Sequence, residues 1–339
     1  MFDSFFAKKR HQVVFVVSSP RSGSTWLSQA LNAHPQIHCT ENRLFGPYYD
    51  TVYDGPRKIP RLRITLDAYV RALTTTMSVP ELGTPANQLQ DRLSRRLANA
   101  ILTLEHELSG KPILVDKFTP YLGTAEGAIK NLVTIFPDAK FVHLVRDGRD
   151  VATSGVFHWL NKSTSESEPE MARKRRSFIL NSSRESALQR FFCDQELAEW
   201  ATMWAEANTA MFSLYGTLQV HRVSYEDMLS DHAGELGRLL KFLGARTSKP
   251  IIDHCVEKSS FSAMSGGRNR GEADPIAHVR KGVSGDWRTY FCRRDGEVFA
   301  EAAGPVLQQL DYESGSSWID QLPQNLDLHA PDQVAAHAA

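Results

Sequence analysis

Short apolar runs alternate with longer stretches of helical periodicity along this chain. Four short runs are predicted to be strands, at residues 13–17, 113–115, 141–145 and 220–225. Helical patterns lie between and after them, at residues 27–31, 66–77, 89–108, 124–136, 195–215, 226–243 and 296–310, and from residue 151 onward. Strands that alternate with helices predict an α/β fold of three layers, in which a central parallel sheet carries helices on both faces.

The polar segments set the expected domain organisation. Residues 161–187 are polar and charged and indicate a loop, so residues 155–195 are expected to form a lid or insertion. Within that segment the basic run at 173–176 indicates a solvated helix face. The tail is polar and rich in alanine and histidine. We therefore expect one domain over residues 1–321 and a disordered tail over residues 322–339.

The first predicted strand leads into the stretch with the most distinctive chemistry, Ser18 to Trp26. A strand, a tight polar loop and a helix follow one another there, and such a loop points its backbone N–H groups and the helix N-terminus at an anion. Gly23 lets the backbone approach a ligand closely, and Arg21 adds a cation. Hydroxyl donors come from Ser22, Ser24 and Thr25. The stretch therefore predicts a site for a phosphate-type anion.

This loop differs from a Walker A motif at the position that matters for nucleoside triphosphates. Gly23 and Thr25 match the second glycine and the final Ser/Thr, whereas Ser18 replaces the first glycine and Ser24 replaces the lysine. Because that lysine reaches the terminal phosphates, its absence argues against ATP or GTP hydrolysis. A P-loop kinase or NTPase stays an alternative, since Asp116 follows an apolar run as the magnesium-binding aspartate of a Walker B strand does.

Composition limits the other function classes. The 339 residues include 39 basic and 39 acidic side chains, so no net charge directs the protein to nucleic acid or to an anionic membrane. The four cysteines stand far apart without a C-x-x-C pair, which indicates reduced thiols and no zinc site. No apolar run has the length of a membrane span or of a signal peptide, so we expect a cytoplasmic protein. The cysteine spacing leads us to expect no bound metal.

Further polar side chains fall at the predicted strand ends. Lys117, Arg146 and Tyr225 each lie at the end of a strand, as the loop at residues 18–25 does. Ligands of parallel α/β sheets bind outside the carboxyl ends of the strands, so these groups are expected to converge on one crevice. The separated cations Arg21, Lys117 and Arg146 fit a ligand that carries two phosphate groups.

The segment from Pro20 to Trp26 resembles the phosphosulfate-binding loop of the sulfotransferases that use 3′-phosphoadenosine-5′-phosphosulfate (PAPS). Those enzymes transfer a sulfonyl group from PAPS to a hydroxyl or an amine. The segment at residues 144–154 resembles the family's 3′-phosphate segment, in which the resemblance assigns binding to Arg146 and Ser154. The segment at residues 280–287 resembles the C-terminal loop of the cytosolic members, which closes over the same phosphate.

Two more segments, residues 224–228 and 259–261, resemble the adenine-binding segments of that family. By this match Trp26, Tyr225 and Phe261 would sandwich the purine, as aromatic rings stack on a base. Together the segments cover about residues 13–290 in the family's order. The resemblance implies the P-loop sulfotransferase fold. It assigns donor binding to Arg21, Ser22, Gly23, Ser24, Thr25, Trp26, Arg146, Ser154, Tyr225, Ser259, Phe261, Arg280, Lys281 and Gly282.

The chain departs from the cytosolic enzymes of this family in its catalytic groups. Those enzymes place a histidine two residues after the lysine that matches Lys117, and this chain has Thr119 there. They also carry lysine at the position of Arg21, where this chain is similar to tyrosylprotein and several carbohydrate sulfotransferases. Those enzymes supply a glutamate base just beyond a segment that residues 34–42 resemble, and Glu41 is the carboxylate in that region.

The resulting hypothesis is sulfonyl transfer from PAPS to an acceptor hydroxyl by in-line displacement. Glu41 is predicted to remove the hydroxyl proton, while Arg21 and Lys117 stabilise the charge that develops. Weaker candidates for the base are His38, His143 and His158, of which His143 lies in an apolar run and indicates a core histidine. A non-catalytic binder of adenosine bisphosphate is a further alternative. The acceptor, a small molecule or a glycan or peptide hydroxyl, cannot be identified from the sequence.

Overall fold

The structure is a computed structural model that describes residues 11–41, 47–50, 57–60, 68, 86–159, 170–181 and 188–328. The helix predicted at residues 66–77, apart from residue 68, lies outside these ranges, as do parts of the predicted lid. The chain divides into two compact units. The first unit is Met1–Val145 with Glu206–Ser260, and the second is Arg146–Ala205 with Phe261–Ala339. A single domain over residues 1–321 stays a prediction.

The first unit contains a five-stranded parallel sheet. The strands in the described ranges are β1 (Gln12–Val17), β2 (Ile37–Thr40), β3 (Pro47–Asp50), β4 (Arg57–Pro60), β5 (Ile113–Phe118), β6 (Lys140–Val145) and β7 (Val220–Ser224). The sheet has the order β2-β5-β1-β6-β7 with every neighbouring pair parallel, and β3 pairs with β4 in antiparallel fashion. The edge strand β2 was not predicted, because its four residues alternate buried and half-buried positions and carry no continuous apolar run.

The helices agree closely with the predicted ones and add several more. Those within the described residues are α1 (Ser24–Asn32), α2 (Ala86–Ser109), α3 (Ala125–Ile135), α4 (Gly148–Trp159), α5 (Glu170–Asn181), α6 (Asp194–Phe212), α7 (Tyr225–Ser230), α8 (His232–Leu243), α9 (Lys249–Lys258), α10 (Phe261–Ser265) and α11 (Arg293–Gln309), with 3₁₀ helices at Asp286–Thr289 and Ser317–Gln321.

Both faces of the sheet are covered by helices. On one face Phe15 and Phe141 pack in a cluster with residues of α2, α3 and the end of α6. On the other face Gln12 and Lys140 donate hydrogen bonds from their side chains to carbonyl groups at the end of α8, at 3.1 and 2.7 Å. The three-layer α/β fold predicted from the alternation of strands and helices is therefore confirmed.

Helix α2 buries a side that coincides only in part with the periodic large apolar residues at 89–108. Ala98 and Leu102 are buried against the sheet, whereas Leu97, Leu104 and Leu108 are 41%, 55% and 79% exposed. Small side chains such as Ala98 let the helix approach closely, which periodicity of large apolar residues does not reveal. The pattern predicted the helix correctly and its buried face in part, since Leu93 and Ile101 pack against the same cluster.

Helix α5 lies inside the segment whose composition indicated a loop. Arg173 and Lys174 are exposed, as expected for a solvated face, but Arg175 is buried. Its guanidinium donates to the Glu196 carboxylate at 2.7 and 2.9 Å and to the Phe191 carbonyl at 2.8 Å. The loop interpretation was therefore wrong for residues 170–181, whereas the helix face indicated by the basic run at 173–176 is present except for the buried Arg175.

The first residues of the predicted tail pack against residues 188–189, which belong to the same unit. Leu326 is buried, and its N–H donates to the Gln189 carbonyl at 2.7 Å. Leu188 donates in turn to the Leu328 carbonyl at 3.1 Å. Residues 322–328 thus make specific backbone contacts, and the rest of the predicted tail lies outside the described residues.

His143 is a core histidine, as its apolar surroundings in the sequence indicated. It lies on β6, with Nδ1 2.8 Å from the Tyr215 hydroxyl and Nε2 2.9 Å from the Asn208 Oδ1. Because Oδ1 only accepts, Nε2 carries the hydrogen of a neutral ring, and Nδ1 accepts from Tyr215. Burial lowers the pKa of His143 to about 4.

This buried neutral ring predicts a loss of stability in acid. The unfolded chain takes up a proton near the ordinary histidine pKa of 6.5, whereas the folded chain does so only near 4. The stabilisation is complete above pH 6.5 and is lost as the pH falls to about 4, by about 3 kcal/mol. Urea unfolding of the wild type between pH 7.5 and 4.5 measures this slope. The His143→Gln variant should show a shallower slope, and an identical slope in both proteins would contradict the assignment.

Candidate active site

The loop that follows β1 takes its shape from two residues with left-handed backbone. Arg21 has a φ of 66° and Gly23 a φ of 91°. A Cβ atom on Gly23 would lie 2.6 Å from Cδ2 of Tyr225, so the backbone and the neighbouring ring both require glycine there. The Ser19 and Ser22 hydroxyls lie 2.8 Å apart and are hydrogen-bonded to each other. The result is a tight turn that leads directly into α1.

This turn has the properties of an anion site. Helix α1 begins without a side-chain cap hydrogen bond and without an acidic residue in its first turn. Its N-terminal N–H groups and dipole therefore favour a negative ligand. In addition, the Ser18 hydroxyl is fully buried and has no hydrogen-bond partner among the residues that the structure describes. The loop meets the chemical requirements of the phosphate-type ligand predicted from its sequence.

The unpredicted strand β2 brings together two of the predicted catalytic residues. Thr40 at the end of β2 pairs with Asp116 on β5, so Glu41 and Lys117 leave neighbouring strands side by side. The Lys117 Nζ lies 3.1 Å from the Glu41 Oε2. The lysine side chain is 11% exposed and the glutamate 48%, so the pair opens to solvent on the carboxylate side.

The same strand end also connects this pair to the loop. Val17 pairs with Phe118 in the sheet, and the Ser18 N–H donates to the Phe118 carbonyl at 3.3 Å. The loop and Lys117 therefore lie at the same carboxyl edge, as predicted. Asp116, the basis of the kinase alternative, lies inside β5 and is buried. Arg146 begins the second unit, so a crevice common to all predicted groups stays a prediction.

Two of the predicted purine-binding aromatics contact each other in the first unit. Trp26 and Tyr225 are both buried, and their ring centroids lie 5.5 Å apart at an interplanar angle of 80°. Trp26 also makes an edge contact with His232, at 4.8 Å between centroids. Because the two rings touch, they do not form opposite walls of a slot for a purine. Their contribution to base binding stays a prediction.

The second unit carries the predicted 3′-phosphate residues. Arg146 and Ser154 are both buried. Arg146 lies two residues before α4, and Ser154 lies within that helix. The Arg146 Nη2 donates to the Val283 carbonyl at 3.1 Å and lies 3.9 Å from the Asp150 Oδ2. These contacts hold the Arg146 guanidinium against the loop that follows Gly282.

The basic loop of the second unit is closed around a carboxylate. Lys281 Nζ donates to the Asp286 Oδ1 at 2.6 Å, and Arg280 Nη2 donates to the Asp286 Oδ2. Burial alone would raise the pKa of Asp286, but the charges and hydrogen bonds of Arg280 and Lys281 lower it. The Arg280 Nε is buried without a hydrogen-bond partner in the described part of the chain. This cluster carries a net positive charge.

The remaining predicted donor residues are placed as follows. A Cβ atom on Gly282, whose φ is 69°, would lie 2.3 Å from Cδ2 of Phe261, so that ring packs directly on the glycine. Ser259 is fully buried at the end of α9, and its hydroxyl donates to the Cys255 carbonyl at 2.7 Å. The Ser259 hydroxyl thus serves the helix end in this structure, and its role in binding the donor stays a prediction.

The acidic residues that surround these cations were not recognised from the sequence. Asp150 accepts from the backbone N–H groups of Gly285 and Trp287, and Asp286 accepts from both basic side chains. The run from Arg146 to Asp150 alternates basic and acidic residues, which is the signal that a paired network follows the strand. All four cysteines are free, as predicted, and burial raises the pKa of Cys39 to about 12.

The described residues were also compared with the requirements of a membrane-spanning helix and of a metal site. Within them no helix is both long and apolar enough to cross a membrane. No three histidine, cysteine, aspartate or glutamate side chains in those ranges come together as a set of metal ligands.

The sequence of this chain is similar to those of known sulfotransferases. Sulfotransferase 2A6 of Mus musculus is 27% identical over 201 residues, which are 56% of this chain and 65% of that protein. Sulfotransferase 1A1 of Bos taurus is 22% identical over 295 residues, which are 84% of this chain and 80% of that protein. Protein-tyrosine sulfotransferase 1 of Rattus norvegicus is 29% identical over 150 residues, 43% of this chain and 34% of that protein.

A solved structure agrees with the fold. The mouse sulfotransferase SULT7A1, crystallised with PAP, is similar with a TM-score of 0.50 and 16% identity, and the match covers 93% of this chain and 89% of that one. The sequence model of the sulfotransferase family matches residues 13–249, from β1 to the beginning of α9. The chain therefore belongs to the sulfotransferase family, and sulfonyl transfer rather than phosphoryl transfer is the function that this family and fold support.

Proposed function

We propose that the protein is a PAPS-dependent sulfotransferase that acts on an acceptor hydroxyl. The observation that carries this proposal is the contact of Lys117 with Glu41 at 3.1 Å, at the sheet edge from which the anion-binding loop also leaves. A cation for the transferred group and a carboxylate for the acceptor proton are thereby adjacent to a loop built for a phosphosulfate.

The donor carries two anionic groups, and the proposal assigns each to a separate set of residues. The loop from Arg21 to Trp26 binds the phosphosulfate through its N–H groups, hydroxyls and guanidinium. Arg146, Ser154 and the segment 280–282 bind the 3′-phosphate, which suits their positive cluster in the second unit. The fully buried Ser18 hydroxyl supports the first assignment, and the family model covers both the loop and the pair Arg146 and Ser154. Segment 280–282 lies beyond the residues that the family model matches, and its assignment rests on the sequence resemblance and on its basic side chains.

The reaction follows from the charges at this edge. The acceptor oxygen attacks sulfur, its proton passes to Glu41, and the bond from sulfur to the bridging phosphate oxygen breaks. Negative charge then accumulates on that oxygen and on the sulfonyl oxygens, where Lys117 and Arg21 stabilise it. Fixed cations supply what a metal ion supplies in many phosphoryl transfers, so the proposal requires no metal.

The acceptor and the compartment are part of the proposal. The acceptor is a hydroxyl of a small molecule, a glycan or a peptide, in keeping with relatives whose names include a protein-tyrosine sulfotransferase. Four free cysteines suit a reducing compartment, which supports the cytoplasm.

Donor binding tests this proposal directly. Titration calorimetry with PAP, the product form of the donor, is expected to show binding that addition of EDTA does not change. ATP with magnesium should bind much more weakly. The loop lacks the Walker lysine that holds a triphosphate, and ATP carries no 3′-phosphate for the cations of the second unit. Binding of ATP that depends on magnesium, together with no binding of PAP, would instead favour the kinase alternative.

A further inference from the structure

We propose that two buried carboxylates, Asp150 and Asp286, are positioning residues that hold the 3′-phosphate cations of the second unit in place. This inference rests on the proposed function, since it takes Arg146, Arg280 and Lys281 as the residues that bind the 3′-phosphate. It assigns roles to two residues that do not themselves touch the donor. All the contacts involved lie within the second unit.

Asp150 connects the first turn of α4 to the C-terminal loop. Its Oδ2 accepts from the Gly285 N–H at 2.7 Å and its Oδ1 from the Trp287 N–H at 2.9 Å. The same Oδ2 lies 3.9 Å from the Arg146 Nη2, which also donates to the Val283 carbonyl at 3.1 Å. One carboxylate therefore sets both the path of residues 283–287 and the direction of the Arg146 guanidinium.

Asp286 lies between the two residues that Asp150 holds by their backbone. Its carboxylate accepts from Lys281 Nζ at 2.6 Å and from Arg280 Nη2. Fixing the backbone of Gly285 and Trp287 thus fixes Asp286, and Asp286 in turn fixes the two basic side chains. Asp150 on α4 thus positions Asp286 through the backbone, and Asp286 positions Arg280 and Lys281.

Neighbouring residues restrict the movement of this bracket, the network formed by Asp150, Asp286 and the backbone of residues 285–287. Arg149, the residue before Asp150, is buried with its guanidinium 3.8 Å from the centre of the Trp287 ring and 4.5 Å from that of Trp318. It donates to Asp147 at 2.8 Å and to Glu313 at 2.5 Å. Trp287 is therefore held by its ring on Arg149 and by its N–H on Asp150, so residues 285–287 have little freedom to move.

Preorganisation is the physical reason for such an arrangement. Lysine and arginine side chains lose rotamer entropy when they are ordered, and cations that are already held by carboxylates have lost part of it before the ligand arrives. Buried carboxylates are unfavourable unless they are paired, and here each is paired with N–H groups or cations of the predicted phosphate site. Donor affinity, rather than chemistry, should depend on these two residues.

The test compares two nucleotides that differ only in the 3′-phosphate. PAP and AMP are titrated by calorimetry into the full-length wild type and into Asp150→Asn, Asp286→Asn and Arg146→Ala. Removing one charge-assisted contact of this kind is expected to raise the Kd for PAP about ten- to a hundredfold. The Kd for AMP should stay within about twofold, because AMP lacks the 3′-phosphate that the positioned cations bind. Asp253→Asn, at an exposed ion pair with Lys249, is the matched control and should change neither value.

Kinetics supply the readout that a purely structural role would not move. With PAPS as donor, both carboxylate variants should raise KM for PAPS by the same factor and leave kcat within about threefold of the wild type. Unchanged binding of AMP also shows that each variant is folded, and Asp286→Asn carries the test alone should Asp150→Asn not fold.

The outcomes separate this inference from the proposed function. If Arg146→Ala leaves PAP binding unchanged, the assignment of the 3′-phosphate site fails. If Arg146→Ala weakens PAP but both carboxylate variants bind it as the wild type does or more tightly, the positioning role alone is overturned. Equal weakening of PAP and AMP in the carboxylate variants would also overturn it, because that result reports general destabilisation.

Discussion

Replacement of Lys117 by methionine is expected to lower kcat for sulfonyl transfer by a factor of about 10²–10³. Lys117 lies at the end of β5 beside the anion-binding loop, with its ammonium group 3.1 Å from Glu41. Methionine keeps most of the volume of the side chain and removes the charge. Because the charge on the bridging and sulfonyl oxygens grows only toward the transition state, kcat should fall much more than KM for PAPS rises.

Lys111 provides a matched control for this variant. It precedes the same strand at the opposite edge of the sheet, where its Nζ donates to the Pro35 carbonyl at 2.6 Å. Lys111→Met removes the same charge from the same kind of side chain and should leave kcat within about twofold. Loss of rate in Lys111→Met, or retention of rate in Lys117→Met, would contradict the role given to Lys117.

Glu41→Gln is expected to lower kcat by a factor of about 10²–10⁴, which is the usual contribution of a general base. Glutamine keeps the size and hydrogen-bonding capacity of the side chain but cannot accept the acceptor's proton. The Kd for PAP should stay near that of the wild type, since the proposal places Glu41 on the acceptor side of the reaction. Rate measurements at saturating PAPS and calorimetry with PAP separate the two effects.

The contact between Glu41 and Lys117 gives this second prediction a further check. Residues in contact act as a unit, so Glu41→Gln combined with Lys117→Met should cost less than the product of the two single effects. Glu257→Gln, at an exposed position on α9, is the control and should be indistinguishable from the wild type. Full activity of Glu41→Gln would move the base to another residue.

The parts of the fold that the sequence predicted are those written in strong local patterns. The apolar runs that became β1, β5 and β6 are buried on both faces, so each reads as a continuous strand. The edge strand β2 is buried on one side only, and its short alternating pattern is not distinguishable from a loop. The burial of Arg175 on α5 was missed for a related reason, since its partner lies on another helix, at Glu196.

The candidate site divides in the same way. The loop from Ser18 to Trp26 is local in sequence, so its anion chemistry was readable directly. The contact of Glu41 with Lys117 depends on the register of β2 with β5, which no local pattern shows. The role of Asp150 was missed because its partners are the backbone N–H groups of Gly285 and Trp287, which only the fold brings near. Asp286 lies within six residues of its partners Arg280 and Lys281, but no periodic pattern marks a contact inside an irregular loop.

Transfer of labelled sulfur is the most direct test of the central claim. The purified protein is incubated with PAPS labelled with radioactive sulfur and a mixed library of phenols, sterols, sugars and tyrosine peptides, in the presence of EDTA. We expect labelled product in at least one acceptor class, with PAP released in equal amount and with the product strongly reduced for Lys117→Met. PAP binding without labelled product from any class, or transfer that requires ATP and magnesium, would contradict it.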